Sequence, residues 1–449
     1  MKKKEAAQGI TKFSTGIPVS NPHAAGIDIG DTVQCVAVAD GSGGHEVKTT
    51  TGFTCDLEEI AAYLVEKKIT TAAMESTGIY WLPLYLMLEE AGIEVYLVNA
   101  KHVKNVTGRK KDDTDAIWIQ KLHTCGLLQK SFQPDNEMRA LRDYTRHRRS
   151  LVELNADTVR RMQKALELMN IKLHTVIADI LGKTGMCMVK AILAGERDPE
   201  KLAGLCDRRI KAPKEEIIKS LAGIWKGEYL FLLQQAVDEY EFRQGQISAC
   251  DEKIKKQLLK QAAIAQSGDI TGLEDQKKNA NPQKNGMHFD ASPYLAALAG
   301  VDLTKLAGIG PASALEFIAE TGTDMRKWAN YKHFAAWLNL APNSKISGGR
   351  LLSSKRMKKK NRAGQILKQA ASSLSRCSCP LGAYYRKMRG KLGGKGAVTA
   401  TAHKLARIIY TMLLNKEEYN PGMVEAAQQK SKEERIAKME KQLAKLKAA

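Results

Sequence analysis

Several things are scarce in this 449-residue chain, and each scarcity excludes a class of function. No apolar run approaches the roughly 20 residues that span a bilayer, which argues against a membrane protein. The stretch Met1–Gln8 is charged and then polar, without the apolar segment of a secretory signal, so a cytoplasmic protein is expected. The eight cysteines are scattered, only Cys377 and Cys379 lie close, and neither a Cys-x-x-Cys pair nor a histidine spacing completes a zinc site. Reduced, mostly buried thiols are the expectation. Aromatic residues make up only 6%, so stacking platforms for single strands are not the main theme.

The most informative absence is acid. From Met325 to Lys416 there is no Asp or Glu, yet these 92 residues carry 21 Lys and Arg, equal to the net charge of the whole chain. Solvated surfaces mix both signs, and keeping a protein soluble needs only a modest charge. An unbroken cationic stretch faces a polyanion, with nucleic acid the first choice, and binds it with steep salt dependence.

At this length two or three domains are expected. Residues 1–22 read as a flexible arm. Ala25 to Gly30 predicts a strand ending in a glycine turn, Thr32 to Ala39 a second, and His45 to Thr51 a third. Asp56 to Lys67 predicts a helix capped by Asp56, Thr70 to Glu75 a strand, Thr77 to Ala91 a helix, Glu94 to Asn99 a strand and Thr114 to Leu128 a helix. Three early strands followed by alternating helices and strands is the order of an α/β ribonuclease H-like fold over residues 23–135. Residues 136–265 read as helical, with Val152, Val159 and Leu166 at one heptad offset and Asn155, Met162 and Met169 at another. Leu233, Val237, Tyr240, Ile247, Ile254 and Leu258 continue the pattern later. An antiparallel coiled coil or a dimerisation arm is expected, with a helical insertion between; ordinary bundle helices are the alternative. Residues 266–292 have linker composition, 293–420 form a basic, mainly α domain, and 421–449 an amphipathic, charged helical tail.

Four acids stand at informative places. Asp28 lies inside an apolar strand, where an unpaired carboxylate is costly, and Glu75 ends another. Asp112 and Asp115 are three apart and share a face as a helix begins. In the ribonuclease H-like order, these elements converge at one sheet edge. Carboxylates brought together repel unless divalent cations neutralise them, and oxygen-only ligands select Mg²⁺ or Mn²⁺. Two such ions about 3.5–4 Å apart serve phosphodiester cleavage. Asp31 beside Gly30 fits a plain turn residue, and Asp113 fits a helix cap.

Within the basic domain, Leu303 to Glu320 predicts a helix-hairpin-helix whose Gly308 and Gly310 expose backbone N–H groups to a phosphate. In Lys345-Ile346-Ser347-Gly348-Gly349-Arg350, the two glycines permit close approach of a phosphate that Lys345 and Arg350 would hold. Lys355, Arg356, Lys358, Lys359, Lys360 and Arg362 extend the same nucleic-acid-binding face. An activated serine here could attack a DNA phosphate and hold the strand covalently. Spacing alone does not single out Ser347 from Ser344, Ser353 and Ser354.

Gly26-Ile27-Asp28, Met74-Glu75-Ser76-Thr77-Gly78 and Gly108 to Ala116 resemble the DEDD, RuvC-like domain of the insertion sequence 110 family of transposases. Lys111 departs from it, standing where the family more often has a small hydroxyl residue. Pro342 to Gln369, with Lys-Ile-Ser-Gly-Gly and Asn361-Arg362-Ala363, resembles the C-terminal transposase domain of the subgroup typified by insertion sequence 1111, as does Thr399 to Arg407. The resemblance covers about residues 23–135 and 295–420. It implies that Asp28, Glu75, Asp112 and Asp115 hold metal and that Ser347 is the catalytic nucleophile, forming a 5′-phosphoserine. It also implies donor and target DNA, a guide or bridge RNA, and a homo-oligomer (dimer or tetramer) in which carboxylates of one subunit meet the serine of another. A metal-dependent nuclease for branched DNA, with Ser347 structural, is the alternative; a non-catalytic nucleic-acid scaffold is a third reading.

Overall fold

The computed structural model describes residues 18–76, 78–99, 103, 114–266, 285–342, 344–354, 360–420, 422, 436 and 439–440. The chain divides into two units, Met1–Gln133 and Pro134–Ala449.

The first unit is a mixed α/β domain. Its strands β1 (Ala24–Ile29), β2 (Val33–Ala39), β3 (His45–Thr51), β4 (Thr71–Glu75) and β5 (Glu94–Val98) form one sheet in the order β3-β2-β1-β4-β5. β1, β2 and β3 run antiparallel as a meander, whereas β4 and β5 run parallel to β1. Alternation along the strands decides which face each residue serves. Ala25, Ile27, Ile29, Ala72 and Met74 pack with Leu57, Ile60 and Leu64 of α1 (Thr54–Glu66) and with Leu84 and Leu88 of α2 (Trp81–Glu90). On the other face, Ala73 and Val98 pack with Trp118, Ile119 and Leu122 of α3 (Asp115–Thr124).

Three element ends differ from the sequence expectation. Helix α1 begins at Thr54 with Phe53 as its cap residue, so Asp56 sits inside the first turn and accepts a hydrogen bond from the Thr51 hydroxyl. Helix α2 begins at Trp81 rather than Thr77, because Gly78 at φ 55° is not helical. Helix α3 stops at Thr124 rather than Leu128. Gly126 at φ 69° closes it, with its N–H donating to His123 O at 2.9 Å and the N–H of Leu127 donating to Leu122 O at 3.0 Å.

The second unit is mostly helical. Its two long helices, α4 (Asn136–Leu168) and α9 (Gly227–Ala265), pair antiparallel, as the ion pairs Glu137–Lys260, Arg148–Asp251 and Arg161–Glu239 require. Between them, α5 (Leu173–Val176), α6 (Lys183–Leu193), α7 (Pro199–Ala203) and α8 (Lys214–Leu221) build one core with Met162, Leu166, Leu233 and Val237. The seam of α4 runs through Met138, Leu141, Thr145, Arg148, Leu151, Asn155, Thr158 and Met162, while the expected Val152 and Val159 are half-buried at its edge. The seam escaped an apolar-only pattern because it includes polar residues.

The Arg148–Asp251 pair explains part of that polarity. Asp251 is fully buried, and its second oxygen accepts the His288 N–H at 3.0 Å. Arg148 also donates to Asn285 O at 3.3 Å and Gly286 O at 2.7 Å. Residues 285–288, expected as linker, are thereby tied to the helix pair; 267–284 lie outside the described residues. Arg148→Met strands a buried carboxylate and is expected to lower stability by about 3–5 kcal/mol, much of it recovered by Arg148→Met combined with Asp251→Leu. Urea unfolding of the two variants checks this.

The basic region comprises α10 (Ser292–Ala299), α11 (Pro311–Thr321), α12 (Tyr331–Trp337), a two-stranded hairpin β6 (Lys345–Ser347) and β7 (Arg350–Ser353), α13 (Arg362–Ser373) and α14 (Pro380–Asn415). Among the described residues no helix is long and apolar enough to cross a membrane. All eight cysteines are free, but only Cys250 is buried; Cys55 and Cys187 are exposed, which corrects the expectation of mostly buried thiols. Both exposed thiols sit on outward helix faces, Cys55 in the first turn of α1 and Cys187 on α6, where packing makes no demand on them.

Candidate active site

Parallel register sets the first half of the site. Gly26 pairs with Ala73 and Ile27 with Met74, so Asp28 and Glu75 occupy the next positions side by side on adjacent strands. Alternation points both away from the α1/α2 core, to the face that α3 covers. Helix α3 crosses β1 so closely that a Cβ on Gly26 would stand 2.2 Å from Ala116 O and 2.2 Å from Gln120 N. That contact brings the start of α3, and Asp115 with it, toward the same strand.

Cys35 marks the junction. It pairs across the sheet with Asp28, and burial first, then the charge of Asp28, push its thiol up, against hydrogen bonds with Thr49 and Thr114. Thr114 caps α3, its hydroxyl accepting the Ile117 N–H at 3.3 Å. Asp115 follows in the first turn, where the helix dipole favours an anion. Asp28 and Glu75 are half-buried and Asp115 is exposed, and each is engaged by a neighbour. Asp112 lies outside the described residues. Sequence reasoning missed Cys35 and Thr114, although a threonine just before an Asp-led helix is a cap signature.

The donor chemistry of Asp28, Glu75 and Asp115 is oxygen-only and fits a hard divalent cation. Among the described residues, no three His, Cys, Asp or Glu side chains are already gathered into a metal cage.

At the opposite end of α3, His123 is fully buried and contacts the Thr71 hydroxyl at 2.9 Å. Burial pushes it down to about 4, so it is a neutral packing residue, far from a switch at physiological pH. The unfolded chain binds the proton more tightly. Stability from this group is therefore complete above about pH 6.5 and is lost as pH falls toward about 4, on the order of 3 kcal/mol in all. An NMR titration of the His123 ring that gives an ordinary midpoint would contradict this, and His123→Gln is expected to flatten the pH dependence in that window.

Ser347 stands at the tip of the β6–β7 hairpin, opposite Arg350, with Gly348 at φ 54° and Gly349 at φ 75° between them. Two central residues at positive φ are what a tight two-residue hairpin demands, so both glycines are needed by the turn itself. Ser347, Lys345, Arg350, Lys360 and Arg362 are all exposed, and Ile346, Leu351 and Leu352 are 60–69% exposed on the same hairpin. Buried Leu340 anchors the entry. At the exit, Asn361 donates to Trp337 O at 3.1 Å and accepts the Gly364 N–H at 2.8 Å, capping α13. Asn361 thus fixes the start of α13 against Trp337, a role its place before an apolar helix foreshadowed.

Gly308, at φ 89°, packs its bare Cα where a Cβ would meet Ala370 O at 2.9 Å. Gly310 caps α11 ahead of Pro311, with open space around it. Lys355, Arg356, Lys358 and Lys359 lie outside the described residues.

Two regions of the chain match known families. Residues 25–171 match a transposase family described by its DEDD motif and the IS110 element. Residues 301–386 match the transposase IS116/IS110/IS902 family. The chain is also similar to a probable family 20 transposase of Pseudomonas aeruginosa, at 32% identity over 129 residues. That match covers 27% of this chain and 37% of the relative, so the similarity spans little more than a third of the relative's length.

Proposed function

This chain belongs to the IS110 family of transposases, and we propose that it cuts and rejoins DNA as the recombinase of an insertion sequence. The adjacent placement of Asp28 and Glu75 on parallel strands, on the face where α3 begins with Asp115, carries this reading. The meander followed by two parallel strands supports a ribonuclease H-like, RuvC-like domain. Asp28, Glu75 and Asp115, with Asp112, would hold Mg²⁺ or Mn²⁺. When bound, the cation supplies Lewis acidity at the phosphate oxygens.

Ser347 is the nucleophile in this reading. Its Oγ loses a proton to a carboxylate or solvent and forms a bond to the scissile phosphorus. The P–O3′ bond breaks, and the departing oxygen takes a proton to give a 3′-hydroxyl. The protein then holds a 5′-phosphoserine, whose phosphodiester energy is conserved for attack by the 3′-hydroxyl of another strand. Lys345 and Arg350, flanking the tip, hold the non-bridging oxygens. Donor and target DNA, a guide RNA and a homo-oligomer, dimer or tetramer, complete the assembly, acting in the cytoplasm on the nucleoid.

Asp28→Asn tests the carrying observation, since it removes charge while keeping shape. DNA strand cleavage with Mg²⁺ is expected to fall on the order of 10³-fold, equivalent to about 4 kcal/mol of transition-state stabilisation, with DNA affinity and thermal transition retained. Cleavage at the unaltered rate would sink the reading.

A further inference from the structure

Helix α14 breaks at Gly393, whose φ of 70° and ψ of 176° are far from helical. A helical hydrogen-bond ladder cannot pass such a residue, so the helix restarts beyond it with a new first turn. The surface around the break differs from an ordinary solvated helix face in two ways. Lys387, Arg389, Lys391 and Lys395 are exposed, and none pairs with a carboxylate among the described residues. Gly390 and Gly394 are exposed as well, and a Cβ on either would meet no atom within 4 Å.

The four glycines here are not equivalent. Gly393 is needed for its positive φ, and Gly396 is needed because its Cβ would stand 2.5 Å from the Leu392 Cβ. Gly390 and Gly394 have no positive φ and no crowding neighbour. Gly394 opens the restarted helix, where glycine is tolerated, whereas Gly390 lies inside the preceding segment, where glycine is unfavourable relative to alanine and no crowding neighbour requires it. A backbone bare of side chains and ringed by cations is a surface that a polyanion can approach to contact distance. The neighbouring Lys404 supports an unbalanced positive field. Burial pushes its ammonium down, and the charges of Arg407 and Lys387 add to the effect.

We propose that the notch around Gly393 is a docking site for the phosphate backbone of duplex DNA, distinct from the Ser347 hairpin. No aromatic residue lies between 386 and 396 for bases to stack on, which disfavours a single strand. Leu392, 58% exposed at the break, is the kind of apolar side chain that enters a DNA minor groove at a kinked step. The choice of DNA as occupant rests on the strand-cutting reading above; the site itself rests on charge and the bare glycines.

The test uses the full-length protein and fluorescence anisotropy with a mixed-sequence duplex DNA over a range of salt. With Gly390→Leu combined with Gly394→Leu, where the added Cβ atoms meet nothing within 4 Å, the thermal midpoint is expected to be kept while DNA affinity falls at least about tenfold. Lys391→Gln with Lys395→Gln is expected to reduce the slope of log K against log salt by about two. Unchanged DNA affinity in the leucine pair would overturn the proposal. So would a collapsed thermal transition, which would give the glycines a role in the fold, or a loss confined to an RNA duplex of the same sequence. Running the same pair in the Asp28→Asn background separates docking from cleavage, because affinity is read whether or not a strand is cut.

Discussion

Ser347→Ala is expected to abolish the covalent protein–DNA adduct and to slow strand cleavage at least about 10⁴-fold, the order seen when a nucleophile is deleted from a preorganised site. Alanine removes only the Oγ. The turn is held by Gly348 and Gly349, both at positive φ, and the Ser347 side chain is exposed, so the hairpin and the stability of the domain are expected to be unaffected. A suicide DNA substrate, which loses its short product strand after the first cut, traps the adduct for a denaturing gel. Ser344→Ala and Ser354→Ala serve as controls and are expected to keep the adduct, since neither occupies the hairpin tip. Persistence of the adduct in Ser347→Ala would transfer the role to another residue. Cleavage without any adduct, in wild type and variant alike, would instead make this a hydrolytic nuclease.

The second large effect is structural. Gly26→Val is expected to destabilise the α/β domain by about 5 kcal/mol or more and, on the proposed function, to remove strand cleavage with it. The atoms a Cβ would strike, Ala116 O and Gln120 N, belong to the backbone of α3, so no rotamer change can relieve the overlap. The helix would have to lift from β1, carrying Thr114 and Asp115 away from Asp28. Exposing Ile119 and Leu122, both buried beneath that contact, adds hydrophobic cost. Circular dichroism with thermal melting checks the effect, and a melting midpoint within a few degrees of wild type would contradict it.

Legibility in the sequence followed the range of the interaction. The five strands of the α/β unit were readable because alternation and glycine turns are local, and β3 falls at His45–Thr51 as expected. Asp28 and Glu75 were readable as candidates because a carboxylate in an apolar strand is costly whatever surrounds it. Helix starts were less so. Asp56 has the composition of a cap, but its carboxylate serves Thr51 on β3, a partner brought near only by folding. The hairpin carrying Ser347 is not legible in the sequence, because its strands are three and four residues long and expose their apolar residues, leaving no in-out alternation to detect.

What composition and local spacing settled is therefore the chemistry on offer: an acid-free cationic stretch, four acids in or beside the expected elements, and a serine between a lysine and two glycines. What needed the folded chain is which groups become neighbours. Asp28 and Glu75, 47 positions apart in sequence, are side by side because β1 and β4 pair in parallel register. Gly26 is irreplaceable because a helix some 90 residues later crosses it, and Gly308 because Ala370 O lies against it. Pairing register and helix crossing are set by packing among segments remote in sequence, and no residue carries that information in its immediate neighbours.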